Sequence, residues 1–143
     1  MVIRKMTEAD LPQICAIEQE TFSMPWKEED FRSSMIKTNN GYIVAEVDSQ
    51  VIGYCGYWGI LEEGDICNVA VIKEYRNQKV AYHMLVELMK EAKEKGITAF
   101  TLEVRIGNHP AIHLYEALGF KSVGLRKKFY SKPEEDAVIM WLK

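Results

Sequence analysis

The chain has 143 residues, of which 48% are hydrophobic and 27% charged, a composition typical of soluble globular proteins. At this length we expect one domain spanning residues 1–143, with about two-thirds of its unfolded surface buried. The net charge of −3 argues against a nucleic-acid-binding protein, which needs a basic excess or a basic stripe. No apolar run approaches the roughly 18 residues of a membrane span. The first residues lack the apolar segment of a signal peptide, so we expect a cytoplasmic protein.

Hydrophobic periodicity predicts eleven elements in the order β-α-α-β-β-β-α-β-α-β-β. Alternating or β-branched runs predict strands at residues 1–5, 42–47, 51–58, 67–72, 97–105, 120–130 and 137–142. Apolar spacings of three and four predict helices at about 7–21, 27–35, 80–95 and 109–118. The helix between the fourth and fifth strands implies a right-handed crossover between parallel neighbours. The predicted fold class is therefore α/β, a mixed sheet of about seven strands with about four helices.

The cysteines and histidines indicate neither disulfides nor a metal site. Cys15, Cys55 and Cys67 are odd in number and have no C-x-x-C spacing, so we expect free, buried thiols. His109 and His113 are four residues apart on a predicted helix, but no third ligand lies at a suitable spacing. The glycine-rich motifs of P-loop and Rossmann proteins are also absent.

The segment from Asn68 to Leu85 gives the first indication of function. Its strand passes through a polar turn, Lys73–Lys79, directly into a helix that begins near Val80. Such a junction presents unpaired N–H groups and the positive end of the helix dipole, where proteins bind phosphate. We therefore predict a binding site for a phosphorylated cofactor, held by backbone amides and local cations.

Three residues further along the chain are candidates for chemistry. Glu103 lies near the carboxyl end of an apolar, central strand, which suits a general base. An ion pair with Arg105, Arg4 or a lysine would explain it equally well. Tyr115 lies on the apolar face of the next helix, where a phenol either packs in the core or donates a proton into a cleft. Asn108 is by default the N-cap of that helix.

The order and content of these segments resemble the GNAT acetyltransferases over nearly the whole chain. Arg76-Asn77-Gln78-Lys79-Val80-Ala81 matches that family's Q/R-x-x-G-x-G/A loop with one departure. The second half matches through Leu102-Glu103-Val104-Arg105, Asn108 and Leu114-Tyr115-Glu116-Ala117-Leu118-Gly119-Phe120. With Pro25-Trp26 upstream and Arg126, Tyr130 and Met140 downstream, the pattern is similar to the RimI branch, which acetylates the N-terminal alanine of a small-subunit ribosomal protein.

The resemblance implies an acetyl-CoA-dependent N-acetyltransferase with Glu103 as general base and Tyr115 as general acid. The pantetheine arm would pair with the backbone of Val69-Ala70-Val71, and Asn108 would contact the cofactor. The pyrophosphate would be bound by the turn and the first helical residues, Arg76, Asn77, Gln78, Lys79, Val80, Ala81 and Tyr82. The implied substrate is the N-terminus of a ribosomal protein, and the enzyme would be a monomer or weak homodimer.

A single carboxylate base suffices for an N-terminal amine. A protein α-amine has a pKa near 8, so its deprotonation at pH 7 costs about 1.4 kcal/mol, against about 4.6 kcal/mol for a lysine. The leaving thiolate has a conjugate-acid pKa of about 8.5, close enough to a phenol for Tyr115 to protonate it. We therefore expect direct transfer without a covalent enzyme intermediate.

The sequence leaves several alternatives open. Lys79 stands where the family has glycine, so either it is already helical with its side chain turned outward, or the loop binds the cofactor less closely. Its ammonium could instead meet a cofactor phosphate. A free amino acid, a polyamine or an internal lysine are alternative acceptors, and a degenerate acyl-CoA-binding module is an alternative class. The acidic segments Glu28-Glu29-Asp30 and Glu62-Glu63 either attract a basic peptide or are solvated surface. Phe22 and Trp26, between the first two helices, either pack in the core or line a substrate groove.

Overall fold

A computed structural model describes residues 1–143. Its strands are β1 (Val2–Lys5), β2 (Gly41–Val47), β3 (Gln50–Ile60), β4 (Glu63–Val71), β5 (Ala99–Arg105), β6 (Lys121–Tyr130) and β7 (Glu135–Leu142). Its α-helices are α1 (Leu11–Thr21), α2 (Glu28–Met35), α3 (Val80–Glu94) and α4 (His109–Ala117). Short 3-10 turns at Glu8–Asp10 and Lys73–Tyr75 precede α1 and α3. The predicted element order and the α/β class are confirmed.

The seven strands form one mixed sheet in the order β1-β2-β3-β4-β5-β7-β6. The pair β4–β5 is parallel, and every other neighbouring pair is antiparallel. Helix α3 makes the crossover between the parallel strands, as the sequence predicts. Asp48 and Ser49, with φ of 50° and 66°, form the two-residue turn between β2 and β3, a conformation that matches the twist of hairpin strands.

Helices cover both faces of the sheet, and each face has its own core. We call the side covered by α3 and α4 the α3 face, where Leu85 and Phe100 are buried. The side covered by α1 and α2 is the α1 face, where Leu11 is buried. Side chains alternate along the strands, so neighbours such as Tyr54 and Cys55 of β3 belong to the α1-face and α3-face cores respectively. This alternation decides from which side each residue of the site approaches the cleft.

Candidate active site

The parallel pairing of β4 with β5 is short, and the two strands separate beyond it. Only residues 63–65 of β4 have partners in β5, at residues 99–101. A cleft of about 1050 Å³ opens where the strands diverge. Parts of the α1–α2 segment, the loop between β4 and α3, the start of α4 and the β6–β7 loop also line it. The cleft lies at the carboxyl ends of two parallel strands, which is where open α/β sheets bind ligands.

The edge of β4 that faces this gap carries unpaired backbone groups. Ile72 N–H donates to the Ile52 carbonyl of β3 at 2.9 Å, and Ala70 is also paired with β3. Successive residues of a strand direct their N–H and C=O groups to opposite sides. Val69 and Val71 therefore face the gap, whereas the backbone of Ala70 is turned towards β3. A ligand with amide groups of its own has two residues of β4 with which to pair.

A β-bulge in β4 accounts for the separation of the strands. The register between β3 and β4 shifts by one residue opposite the segment Tyr54–Gly56. Asn68 lies in the bulge with a left-handed φ of 53°, a conformation that asparagine tolerates better than most residues. A bulge bends the strand that carries it. The side-chain Oδ1 of Asn68 is buried without a hydrogen-bond partner, and Asn68 lines the cleft.

Lys79, at the departure from the family's loop motif, is the N-cap of α3. It has φ 61° and ψ 21°, and Asn77 is also left-handed with φ 62°. A left-handed conformation costs a residue with a Cβ roughly 1–2 kcal/mol, which explains why glycine suits this position. Lys79 is therefore not already helical, and that alternative from the sequence is wrong. The backbone takes the glycine-like conformation although the residue is lysine.

The N-terminus of α3 presents its amides to the cleft. No side chain caps it, and so the first-turn N–H groups stay available. Arg76 Nε donates to the Val71 carbonyl at 3.0 Å, which ties the loop to the edge of β4. Gln78 is turned away from the cleft, where its Nε2 donates to the Glu74 carbonyl at 3.2 Å. The predicted binding residues that line the cleft here are Arg76, Asn77, Lys79, Val80, Ala81 and Tyr82.

Glu103 points away from the α3-face core. Its two neighbours in β5 are buried on the α3 face, so alternation places Glu103 on the α1 face. Its side chain is 21% exposed and forms an ion pair with Arg126 of β6, with Oε2 and Nε 4.0 Å apart. The alternative of an ion pair with Arg105 is wrong, because Arg105 pairs with Glu135. Glu103 also lines the cleft.

Tyr115 reaches the same cleft from the α3 face. It is buried in that core, packs edge-to-face on Phe120 with ring centroids 5.8 Å apart, and lines the cleft. Burial raises the pKa of the Tyr115 phenol well above its usual value near 10, so it is protonated at neutral pH. Asn108 caps α4 through its Oδ1, which accepts the Ala111 N–H at 3.3 Å, as the sequence predicts.

Comparison with known proteins agrees with this geometry. Residues 11–120 match the sequence profile of the acetyltransferase (GNAT) family. The chain belongs to the GNAT family. A protein of Bacillus subtilis (strain 168) named putative [ribosomal protein bS18]-alanine N-acetyltransferase is 35% identical to this GNAT member over 98% of the chain and 93% of its own length. The [ribosomal protein bS18]-alanine N-acetyltransferase of Escherichia coli (strain K12) is 34% identical over 98% and 95%.

Solved structures of GNAT proteins share the whole fold. The crystal structure of the ribosomal-protein-S18-alanine N-acetyltransferase from Escherichia coli has a TM-score of 0.89 at 31% identity, over 99% of this chain and 92% of that chain. The ribosomal-protein-alanine N-acetyltransferase from Brucella melitensis has a TM-score of 0.87 at 27% identity, over 99% of both chains. The mixed seven-stranded sheet is therefore the GNAT fold.

As a GNAT acetyltransferase, the chain uses acetyl-CoA as its acetyl donor, and the cleft fits that molecule. The backbone of Val69 and the N–H of Val71, whose carbonyl accepts from Arg76, suit the amides of a pantetheine arm. The uncapped N-terminus of α3 suits a pyrophosphate. The volume of about 1050 Å³ is at the upper end for a small-molecule site. A site of that size has room for a long cofactor together with a second substrate. When bound, acetyl-CoA supplies the thioester from which the acetyl group is transferred.

Asp65 is a neighbour of Glu103 in this GNAT fold that sequence reasoning missed. It is the last residue of β4 that pairs with β5, and it lies on the same face as Glu103. Burial and then the charge of Glu103 raise the pKa of Asp65 to about 6, while Arg126 opposes the shift. The only signal in the sequence is an aspartate just before an apolar strand segment. That Asp65 lies near Glu103 is known only once the register of β4 against β5 is known.

On the α1 face, the segment between α1 and α2 forms one wall of the GNAT cleft. Trp26 stacks on Trp58 with ring centroids 5.6 Å apart and meets Phe31 edge-on at 5.1 Å. Phe22, 36% exposed, also lines the cleft. For Trp26 both interpretations from the sequence hold, since it packs against α2 and lines the cleft.

Glu18 anchors this wall and was also missed at the sequence level. It is only 2% exposed. Its carboxylate accepts one hydrogen bond from the Tyr54 hydroxyl and another from the Trp26 N–H at 3.0 Å. A glutamate in the middle of an amphipathic helix gives no local sign of burial. Its partners lie 8 and 36 residues away along the chain.

The remaining candidate groups take no part in the cleft chemistry described above. The three cysteines are free thiols, as the sequence predicts, but only Cys55 is buried. Cys15 and Cys67 are partly exposed, so the expectation of burial is wrong for these two. No group of three or more histidine, cysteine, aspartate or glutamate side chains is placed to hold a metal ion. None of the helices has the length and apolarity that crossing a bilayer requires.

Proposed function

We propose that residues 1–143 act as one N-acetyltransferase domain that acetylates the N-terminal α-amine of an alanine in a ribosomal protein, in the cytoplasm. The observation that carries the proposal is that Glu103 and Tyr115 approach one gap in the sheet from opposite faces. The acceptor is supported by two relatives of 35% and 34% identity that are named as alanine N-acetyltransferases of ribosomal protein bS18. We further propose that the active form is a monomer or weak homodimer.

Glu103 is the proposed general base. It lies on the α1 face, where the wall at Trp26 leaves room for an acceptor peptide. The α-amine of a protein has a pKa near 8, and its deprotonation at pH 7 costs about 1.4 kcal/mol. One carboxylate is adequate for that step, whereas a lysine acceptor would cost about 4.6 kcal/mol. The lower cost of deprotonation therefore favours an N-terminal amine over a lysine.

Tyr115 is the proposed general acid. Its phenol is held protonated by burial and meets the cleft on the α3 face, opposite the entering amine. In that position it donates a proton to the leaving thiolate, whose conjugate acid has a pKa of about 8.5. The acceptor amine attacks directly, so no group of the enzyme is acetylated on the way.

The remaining predicted residues hold the cofactor in this proposal. Val69 and Val71 would pair through their backbone with the pantetheine arm, beside the buried Ala70. The loop 76–79 and the first turn of α3 would bind the pyrophosphate. Asn108 has its Oδ1 engaged as the helix cap, which leaves its amide Nδ2 to contact the cofactor.

The proposal is tested with peptides that carry the N-terminus of ribosomal protein bS18. We expect mass spectrometry to find one acetyl group on the N-terminal alanine and none on lysine. Glu103→Gln and Tyr115→Phe should each lower kcat roughly 100-fold, a typical contribution of general acid–base catalysis. Glu116→Gln, on the exposed side of α4, is the matched control and should leave kcat unchanged.

Other outcomes distinguish the alternatives. Acetylation confined to a lysine, a polyamine or a free amino acid would replace the proposed acceptor. Binding of acetyl-CoA without transfer to any amine would favour an acyl-CoA-binding module. Wild-type rates in both Glu103→Gln and Tyr115→Phe would remove the roles assigned to these residues.

A further inference from the structure

The guanidinium of Arg105 links the end of β5 to the loop between β6 and β7. Arg105 lies two residues after Glu103, on the same face of the strand. Its Nη1 donates to the Pro133 carbonyl at 2.9 Å and to Glu135 Oε1 at 3.2 Å. Its Nη2 donates to the Ser131 carbonyl at 3.3 Å. A planar fork with several donors makes this set of contacts, which the single ammonium of a lysine does not reproduce.

Glu135 extends this link to a third segment. Its Oε1 binds Arg105, and its Oε2 accepts the Gly107 N–H at 2.7 Å. Gly107 lies in the turn between β5 and α4, and a Cβ there would come within 2.7 Å of the same Oε2. The pair Arg105–Glu135, which we call the clamp, therefore joins the end of β5, the turn before α4 and the β6–β7 loop.

Tyr130 is the side chain that the clamp fixes beside the cleft. The Arg105 guanidinium lies over its ring at 4.4 Å from the centroid. Tyr130 and residues 131–133 line the cleft on the side of Glu103. Burial and then the Glu103 charge raise the pKa of Tyr130 to about 12, and Arg105 opposes the shift. The phenol thus lies within electrostatic reach of the carboxylate proposed as the base.

We propose that Arg105 and Glu135 are positioning residues that hold Tyr130 and the β6–β7 loop as the wall against which the acceptor N-terminus is seated beside Glu103. This inference rests on the proposed function, because it takes the acceptor to enter from the α1 face. An ordered wall has lost its conformational freedom before the acceptor arrives, which favours binding. Loss of the clamp therefore weakens acceptor binding and leaves the acetyl-CoA contacts at β4 and α3 in place.

The test uses two substitutions that break the clamp and one matched control. Arg105→Lys keeps the charge but loses the fork, and Glu135→Gln keeps the shape but loses the charge. Glu134→Gln makes the same change on the neighbouring residue, whose exposed carboxylate lies 3.9 Å from Lys128 Nζ. Amide hydrogen exchange and steady-state kinetics are measured on the full chain of each variant.

We expect exchange at Gly107 and at residues 129–135 to be at least tenfold faster in Arg105→Lys and Glu135→Gln than in the wild type or Glu134→Gln. The KM for the acceptor peptide should rise at least fivefold in both clamp variants. The KM for acetyl-CoA should rise by less than half as much, because Asn108, next to Gly107, is only one of several cofactor contacts. In the double variant, the exchange rate and the KM for the peptide should be no higher than in the more affected single variant, because both substitutions break the same clamp.

Unchanged exchange or an unchanged KM for the peptide in the two clamp variants would overturn the inference. An equal rise in both KM values would also overturn it, because a general loss of structure affects both substrates alike. A wild type that acetylates no ribosomal N-terminus would instead contradict the proposed function. In that case the hydrogen-exchange measurement still tests whether the clamp orders the loop. The KM is then measured with the amine that the wild type acetylates.

Discussion

The carboxyl group of Asp65 reduces stability at neutral pH. Burial beside Glu103 raises its pKa to about 6, from an ordinary value of 3.8. Because the folded-state pKa lies above the unfolded value, folding favours the protonated form of Asp65. The stability that this form provides is fully present only below about pH 4. That contribution is lost as the pH rises through 6, where the folded protein must hold the charge in a partly desolvated site.

We predict that Asp65→Asn raises Tm at pH 7.5, because it removes a charge that folding penalises. The difference from the wild type should shrink as the pH falls and vanish near pH 4. Each kcal/mol corresponds to about 3 °C for a chain of this size. Thermal unfolding followed over a pH series checks the prediction. Glu63→Gln makes the same charge change at an exposed position of β4 and should show no such pH trend.

Lys79 permits a second prediction at the scale of one residue. The left-handed backbone at φ 61° is what glycine adopts freely, so Lys79→Gly should leave the loop unchanged. We expect acetyl-CoA to bind the wild type and Lys79→Gly with dissociation constants within about threefold in isothermal titration at 150 mM salt. More than tenfold weaker binding by Lys79→Gly would mean that the lysine ammonium contacts a cofactor phosphate.

The predictability of single residues depends on whether periodicity fixes their environment. The Asn108 cap follows from the helix pattern, and it is confirmed. The face of Glu103 follows from alternation in β5, but its partner Arg126 comes from a strand that sequence spacing does not place beside it. The neighbourhoods of Asp65 and Glu18 depend on strand register and on a contact 36 residues away, so no local pattern predicts them.

At the scale of elements, one buried carboxylate joins α1 to the segment that walls the cleft. Glu18 of α1 accepts hydrogen bonds from the Tyr54 hydroxyl in β3 and from the Trp26 backbone N–H. A buried donor that loses its acceptor costs roughly 1–3 kcal/mol. The path of the chain between α1 and α2 therefore depends on this side chain.

We predict that Glu18→Ala lowers the free energy of unfolding by about 2–4 kcal/mol, because it leaves one buried and one partly buried donor without an acceptor. Tyr54→Phe removes one donor and leaves the Trp26 contact, so it should cost less. Chemical denaturation of both variants measures the difference. A loss of under 0.5 kcal/mol in Glu18→Ala would show that water or a rearranged segment replaces the carboxylate.

The order of the elements was predictable, whereas the shape of the site was not. Alternation, helical spacing and turn residues such as Asp48-Ser49 are local, and they predict the confirmed succession of strands and helices. The separation of β4 from β5 follows from no local sequence pattern. Its physical cause, the bulge at Asn68, lies in the pairing with β3 and leaves the apolar pattern of β4 intact.

At the scale of the molecule, the sheet consists of two parts with a weak backbone connection. Strands β1 to β4 form one part and β5, β7 and β6 the other. Three residue pairs join them, at one end of β4 and β5. Beyond these pairs, the α3-face core, which contains residues of both parts, holds them together, while the cleft separates them. A ligand that pairs with β4 inside the cleft stabilises the protein at the place where β4 and β5 have no backbone hydrogen bonds to each other.

We predict that free coenzyme A stabilises the protein almost as much as acetyl-CoA, because both carry the same pantetheine and pyrophosphate. A ligand at 100 times its dissociation constant adds about 2.7 kcal/mol to the folded state, or roughly 8 °C in Tm for this size. Thermal unfolding with each ligand checks this. Desulfo-coenzyme A is expected to behave alike, and adenosine, which lacks both groups, should give no shift.

The short pairing of β4 with β5 also has a consequence for turnover. The unpaired edge of β4 would bind groups of the cofactor that the reaction leaves unaltered. Free coenzyme A should therefore bind about as tightly as acetyl-CoA, and it competes with acetyl-CoA for the enzyme. The extent of acetylation would then follow the ratio of acetyl-CoA to free coenzyme A.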